Sequence, residues 1–298
     1  DVGASSRVGR CHVGVIAADD GMDMVRPSRT SEGVFMSKST VVKVEDQGRV
    51  RYLTLNRPDQ LNAFNYAQYD AFAAALRDAG ASPTVAVTVI TGEGRAFSAG
   101  QDLAELGNPP TYDDNVAHGF QPFMDVLQAF PKPLIAAVNG VGIGIGTTML
   151  LHCDLVLMAA GARLRAPFVS LGISAEAGSS YLFTQTMSWA DTAHLLYTSS
   201  WLSAEDAKRV GIAWRIVPDE SLMDETRQLA EQIAAMPITS LVGTKRLLLD
   251  ARLDAVQRAR RRENEIIGGL QRGPAVREAV AAFMEKRAPD FSKITLDS

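Results

Sequence analysis

The stretch Pro133-Leu134-Ile135-Ala136-Ala137-Val138-Asn139-Gly140-Val141-Gly142-Ile143-Gly144-Ile145-Gly146-Thr147 decides the fold class. Leu134 to Val138 is a short, unbroken apolar run, as a strand buried on both faces requires. Pro131-Lys132-Pro133 stops the segment before it, the glycines after Asn139 end the strand, and Thr147 to His152 reads as a helix. A buried strand passing through a glycine loop into a helix is the unit of an α/β architecture.

Working outward, the same unit recurs. Val85 to Thr91 is a second buried run, broken by Gly92-Glu93-Gly94 and followed, after a loop, by a helix from Gln101 or Asp102 to Leu106. Leu155 to Ala159 is a third. Upstream, Val41 to Glu45 and Val50 to Asn56 read as a hairpin turning at Asp46-Gln47-Gly48. Asn65 to Ala79 carries Tyr66, Tyr69, Phe72, Ala73 and Leu76 at helical spacing, and His118 to Phe130 is a further helix. Beyond Ser203 helical patterns dominate, the last four near Met223–Met236, Ile238–Ala251, Leu253–Leu270 and Ala275–Arg287. The first 35 residues are rich in Gly, Ser, Arg and Asp without a sustained period, and Met36 would be a natural beginning. Three regions are expected: a disordered or non-native extension over 1–37, a core domain over 38–235 and a C-terminal helical region over 236–298.

The bulk numbers bound the function. The chain has 298 residues, 46% hydrophobic and 21% charged, which suits one large domain or one with a small helical appendage. A net charge of −4 gives no electrostatic reason to expect nucleic acid. Cys11 and Cys153 are the two cysteines, so no disulfide framework is expected and a reducing cytoplasm fits. No apolar run approaches the roughly 18–20 residues of a membrane span. The four histidines are scattered without metal-ligand spacing, so no metal site is expected.

Two loops carry the candidate chemistry: Gly94 to Leu103, and the glycine stretch 140–146. Each follows a buried strand and precedes a helix. Amides at a helix start are unpaired, and two of them converging from two loops can bind an oxyanion. Taken singly, either loop could cradle phosphate or simply pack closely. There is no Gly-Lys-Ser/Thr ending for an NTPase loop, and Gly142-x-Gly144-x-Gly146 lacks the dinucleotide-binding spacing.

Together with other motifs the chain resembles the crotonase superfamily, the enoyl-CoA hydratase/isomerase group. The matching pieces are Leu55-Asn56-Arg57-Pro58 with Leu61-Asn62-Ala63, Ala96 to Leu103, Pro133 to Gly140, Cys153-Asp154-Leu155, Ser203 to Ala207 with Gly211, and Phe283 to Arg287. The resemblance covers about residues 40–292. It implies an α/β crotonase (ClpP-like) fold, a repeated ββα core with a C-terminal helical trimerisation region, assembled as a homotrimer or a hexamer of paired trimers. It implies an acyl-CoA substrate, with coenzyme A entering only as part of that substrate and no other cofactor. The backbone N–H groups of Gln101 and Ile145 would form the oxyanion hole for the thioester. Removing one such donor typically costs about 3–4 kcal/mol of transition-state stabilisation. Gln60, Leu61, Ala63, Ala99, Asp102 and Leu103 would line the coenzyme A path, with Phe283 and Lys286 contributing near the C-terminus, often to a neighbouring subunit.

The family's hydratases carry two glutamates, and the corresponding positions here are Thr148 and Phe168. Neither side chain can activate water. The stretch Ala166 to Ser180 instead resembles peroxisomal-type Δ3,Δ2-enoyl-CoA isomerases, whose sole catalytic glutamate maps to Glu176. Ala175 and Ala177 stand where that group commonly has Pro and Gly, which predicts a slightly different loop setting. One base suffices to move a double bond, taking a proton at C2 and returning it at C4, a step that would belong to fatty-acid β-oxidation. Hydration, hydrolysis or carbon–carbon cleavage with another base, and non-catalytic acyl-CoA binding, stay as alternatives. So does the reading of Glu176 as an ordinary solvated loop residue. Asp102 is expected to cap a helix and Glu105 to lie on its surface. Asp113 and Asp114 read as solvated loop residues. Arg258, Arg260, Arg261 and Arg262, with Glu263 and Glu265, read as a solvated face or subunit contact. Met124, Leu127, Tyr181 and Leu182 are candidates for an acyl tunnel or for core.

Overall fold

The computed structural model describes residues 41–106, 110–112 and 115–295. The expected extension over 1–37, and Asp113 and Asp114, lie outside the described residues. Strands β1 (Val42–Gln47) and β2 (Val50–Leu55) form the expected hairpin, although β1 runs on to Gln47 and the turn is Gly48-Arg49. Gly48 takes a φ of 60° there, which only glycine adopts without cost. β2 then pairs in parallel with β3 (Val87–Gly92). Next comes β4 (Ala96–Ser98), then β5 (Leu134–Val138), β6 (Val141–Ile143), β7 (Leu155–Ala159), β8 (Arg163–Arg165), β9 (Trp201–Ser203) and β10 (Arg215–Val217).

These strands sort into two sheets. One is six-stranded in the order β1-β2-β3-β5-β7-β10, parallel apart from the first hairpin; the other is four-stranded in the order β4-β6-β8-β9. Each of β3, β5 and β7 is thus followed by a short strand of the second sheet. The helices are α1 (Tyr66–Ala81), α2 (Leu103–Leu106), α3 (Phe120–Gln128), α4 (Ile145–Thr148), α5 (Ser179–Thr186), α6 (Trp189–Thr198), α7 (Ala204–Arg209), α8 (Leu222–Ala234), α9 (Ile238–Asp250), α10 (Leu253–Leu270) and α11 (Pro274–Met284). Strand, strand and helix therefore repeat as β3-β4-α2, β5-β6-α4 and β7-β8-α5, the ββα core the resemblance implies.

The three-residue strands are not foreseen from sequence, because so short a run shows no period. Beyond Ser203 helices do dominate, and β10 is the one strand among the described residues there. The helix expected over Thr147 to His152 starts earlier, at Ile145, and its second half tightens into a 3-10 turn over Met149–His152.

Apolar residues of both strand faces and of α1 and α3 make the core. Phe64 stacks on Tyr69 at 4.7 Å between ring centroids, and Phe72 on Phe123 at 5.6 Å. Burying each such ring contributes about 1.5–3 kcal/mol. Met124 and Leu127 are fully buried in this layer and belong to the core. Among the described residues, no helix is long and apolar enough to cross a membrane, and no His/Cys/Asp/Glu group is arranged to hold a metal ion.

Candidate active site

The first loop is pinned by its backbone. Ala99 N–H donates to Leu61 O at 2.9 Å, Phe64 N–H to Gly100 O at 2.7 Å, and Asp102 N–H to Phe64 O at 2.8 Å. Pairing on this edge uses the peptide groups flanking Gln101 and turns the Gln101 N–H the other way. That N–H donates to nothing among the described residues.

Asn62 organises the turn beneath. It is fully buried with a φ of 56°, a left-handed conformation that Asn tolerates better than most residues. Its Oδ1 accepts from Arg57 N–H at 2.9 Å, and its Nδ2 donates to Glu93 O at 2.9 Å and Ala96 O at 2.8 Å. Asn62→Ala leaves these groups without partners at about 1–3 kcal/mol each when buried. A loss of about 3 kcal/mol or more in urea unfolding is the expected result.

The second loop leaves β6 through Gly144, at φ 55° and ψ −120°, into α4. Thr147 N–H and Thr148 N–H both donate to Gly144 O, while the Ile145 N–H, like that of Gln101, has no acceptor among the described residues. The two loops touch. A methyl group built on Gly100 would stand 2.7 Å from Ile143 O and 3.8 Å from Gly144 Cα. Two glycines are thus in contact, each followed by a residue with an uncommitted N–H. This is the arrangement an oxyanion requires.

Glu176 reaches this place from the loop before α5. Thr148 Oγ1 lies 3.3 Å from Glu176 Oε1 and equally far from Gly144 O, so its one hydrogen serves either. The residue as a whole is half-buried, but its carboxyl end is enclosed. Burial pushes the carboxyl up to about 8, against the Thr148 hydrogen bond and with the help of the negative charge of Glu263. Tyr69 is close enough to feel the Glu176 charge. Its hydroxyl donates to Gln101 Oε1 at 2.9 Å, and burial, reinforced by the Glu176 charge, holds the phenol well above its usual range.

The loop around Glu176 is held at three points. Ala177 takes a φ of 61°, so the backbone keeps a glycine-like conformation with alanine in place, at about 1–2 kcal/mol. Ala177 O accepts from His152 Nε2 at 2.8 Å. Burial pushes His152 down to about 3, so the ring is neutral at ordinary pH and Nε2 carries the hydrogen. Glu263, on α10, accepts from Gly178 N–H at 2.6 Å and Ser180 N–H at 2.8 Å.

Gln101, Ile145 and Glu176 thus lie around one place, Gln101 tied to Tyr69 and Glu176 to Thr148 of the helix that Ile145 opens. Thr148 is fully buried and Phe168 is 3% exposed, and neither brings a carboxylate. The strip expected to meet coenzyme A is continuous. Leu61 and Ala99 are hydrogen-bonded, Arg57 donates to Ala63 O and pairs with Asp102 Oδ2 at 2.8 Å, and Gln60 and Leu103 are exposed beside them. Asp102 Oδ1 also accepts from Ala104 N–H at 3.1 Å, the expected cap. Phe283 and Lys286 are exposed at the end of α11, which packs on residues 169–172. Within one chain, no hydrogen bond among the described residues joins them to the strip.

Two expectations are corrected. Glu105 is half-buried rather than freely exposed on its helix: its carboxylate accepts from Tyr66 N–H at 2.8 Å and so serves the first turn of α1. The charged run on α10 is not uniformly solvated. Arg260 and Glu263 are buried on the same face as Val256, because residues three, four and seven apart share one side of a helix.

Comparison with known proteins agrees with this architecture. Residues 45–294 match the Enoyl-CoA hydratase/isomerase family. The chain is 34% identical over 248 residues to a 1,2-epoxyphenylacetyl-CoA isomerase of Escherichia coli K12, covering 82% of this chain and 95% of that protein. It is 32% identical over 251 residues to a 2,3-dehydroadipyl-CoA hydratase of the same organism, covering 83% and 97%. The crystal structure of an enoyl-CoA hydratase/isomerase from Pseudoalteromonas atlantica T6c superposes with a TM-score of 0.81 at 35% identity, covering 84% of this chain and 99% of that one. These relatives include isomerase and hydratase names, and none of the three is called a peroxisomal-type Δ3,Δ2-enoyl-CoA isomerase. With ββα units repeated across two sheets and two glycine loops in contact, the chain belongs to the enoyl-CoA hydratase/isomerase family.

Proposed function

We propose that the protein moves the double bond of a 3-enoyl-CoA to C2, with Glu176 as its single proton shuttle. In this reading the thioester oxygen lies between the N–H groups of Gln101 and Ile145. The Glu176 carboxylate takes a proton from C2, and the electron pair moves onto the thioester oxygen, giving a dienolate. The two N–H groups offset that charge in a place with little water. Glu176 then delivers the proton to C4, and the carbonyl re-forms. No atom is gained or lost.

The observation that carries this reading is the enclosed Glu176 carboxylate beside the two loops, unpaired with any basic side chain among the described residues, whereas Asp102 is held by Arg57. Hydration asks for a second group to activate water, and positions 148 and 168 supply none. Glu263 does not serve either, since both its oxygens are taken by amides. The exposed Leu247, Leu248, Ile266, Phe283 and Met284 on α9–α11 are consistent with oligomerisation through the C-terminal helices, as a homotrimer or hexamer.

The test offers 3-enoyl-CoA and 2-enoyl-CoA separately and follows the products by mass and chromatography. The expected product of the first is 2-enoyl-CoA at unchanged mass. Addition of one water to 2-enoyl-CoA as the faster reaction would defeat the assignment. The pH profile has a definite sign. The working form is the carboxylate, so kcat/KM should climb about tenfold per pH unit below about 8 and level off above it.

A further inference from the structure

We infer that Glu263, on the C-terminal helix α10, is a positioning residue: it clamps the loop that carries Glu176 and places a fixed negative charge behind it. The inference rests on Glu176 being the base.

Glu263 is 4% exposed, and a carboxylate so buried is costly unless its oxygens are satisfied. Here both are. They accept from Gly178 N–H and Ser180 N–H, the amides two and four residues after Glu176, in short charge-assisted bonds. Glu176 O accepts from Ser179 N–H at 2.9 Å between them, so the turn is fixed from inside and outside. α10 also approaches the loop closely. A methyl group built on Gly178 would stand 2.9 Å from Val256 Cγ1. Arg260, one turn before Glu263, is itself buried and ties α10 to α3. Its guanidinium donates to Asp125 Oδ1 at 2.7 Å and Gln121 Oε1 at 2.9 Å. The position of Glu176 is thereby set by a helix far along the chain, which is itself locked to the core.

Among the described residues, the titratable and polar groups that bear on Glu176 are few. Thr148 from α4 donates to it, and Tyr69 from α1 is near enough to feel its charge. His152 is neutral and bonded to Ala177 O, and Arg260 is paired with Asp125. Glu263 is the charged group among them that opposes ionisation of Glu176. Removing its charge therefore lowers the pH at which Glu176 ionises, and loosening the clamp costs rate.

The experiment uses the full chain labelled with carboxyl-13C glutamate. The Glu176 signal is assigned by its loss in Glu176→Gln, and its titration midpoint is read in the wild type, Glu263→Gln and Glu263→Asp. In parallel, kcat and KM are measured on 3-enoyl-CoA. Glu263→Gln should lower the midpoint and reduce kcat about 10- to 100-fold with KM little changed, the effect of misplacing a base. Glu263→Asp keeps the charge but reaches one amide fewer, so kcat falls while the midpoint stays raised. It carries the test if the Gln variant does not fold. A wild-type midpoint in Glu263→Gln, or wild-type kcat in both variants, overturns the inference. Failure of the base assignment shows separately, as wild-type turnover in Glu176→Gln.

Discussion

Glu176→Gln is expected to lower kcat for 3-enoyl-CoA by about 10³-fold or more, with the affinity for an acyl-CoA ester nearly unchanged. A positioned general base typically contributes about 10²–10⁴-fold, and here one carboxylate is asked both to remove the proton and to return it. Gln has almost the same shape and can still accept from Thr148 Oγ1, so the pocket should keep its form. The same variant should be more stable at high pH. The folded-state value of about 8 lies above the ordinary 4.5. Between those limits the folded protein holds a proton that the unfolded chain has released, so stability falls as pH rises through the window and levels off above about 8. A raised carboxyl therefore costs the wild type about 2–5 kcal/mol at alkaline pH, and Gln carries no such penalty. Thermal unfolding of the pair at pH 5 and pH 9 checks this: the advantage of the variant should appear only at the higher pH. Near-normal turnover would remove Glu176 from the role of base, and an unchanged stability difference between pH 5 and pH 9 would mean that its carboxyl is not raised in the folded protein.

The parts of the molecule that can be read from the chain are those whose signal is local. Leu134–Val138 and Leu155–Ala159 have the expected boundaries because each is an apolar run with hard edges, and Leu253–Leu270 because its period lasts the whole helix. Glu176 is legible through the residues around it rather than through any property of its own; a loop glutamate looks solvated until its enclosure is seen. The supports of the site are hidden for a related reason. Val256, Arg260 and Glu263 share a helical face, but the surrounding arginines make the segment look like a charged surface. Only the packing of α10 on the loop at 177–180 turns that face inward. His152 gives no signal at all, since its neutrality is a result of burial. The pairing of β4, β6 and β8 into a second sheet is likewise a long-range fact that three residues cannot announce.

Gly100→Ala tests the other half of the site. Gly100 has a φ of 90°, a region that alanine enters at about 1–3 kcal/mol, and its added methyl would meet Ile143 O at 2.7 Å. That oxygen is backbone at the end of β6, one residue before Gly144, so it cannot swing aside as a side chain would. Relief requires the two loops to part, and the residues that move are those presenting Gln101 N–H and Ile145 N–H. The expected result is a fall in kcat of about 10²–10³-fold, the loss of one oxyanion donor, with a stability loss of about 2–4 kcal/mol. Gly144→Ala separates conformation from collision. Its methyl would have Gly100 Cα at 4.0 Å as its nearest neighbour, so the cost is the backbone angle alone and the stability loss should be smaller. An analogue that carries negative charge on the thioester oxygen gives the decisive reading. Its affinity should fall in Gly100→Ala by far more than that of a saturated acyl-CoA, because only the charged oxygen needs both N–H groups. Equal losses for the two ligands would mean that these loops shape the pocket without holding an oxyanion.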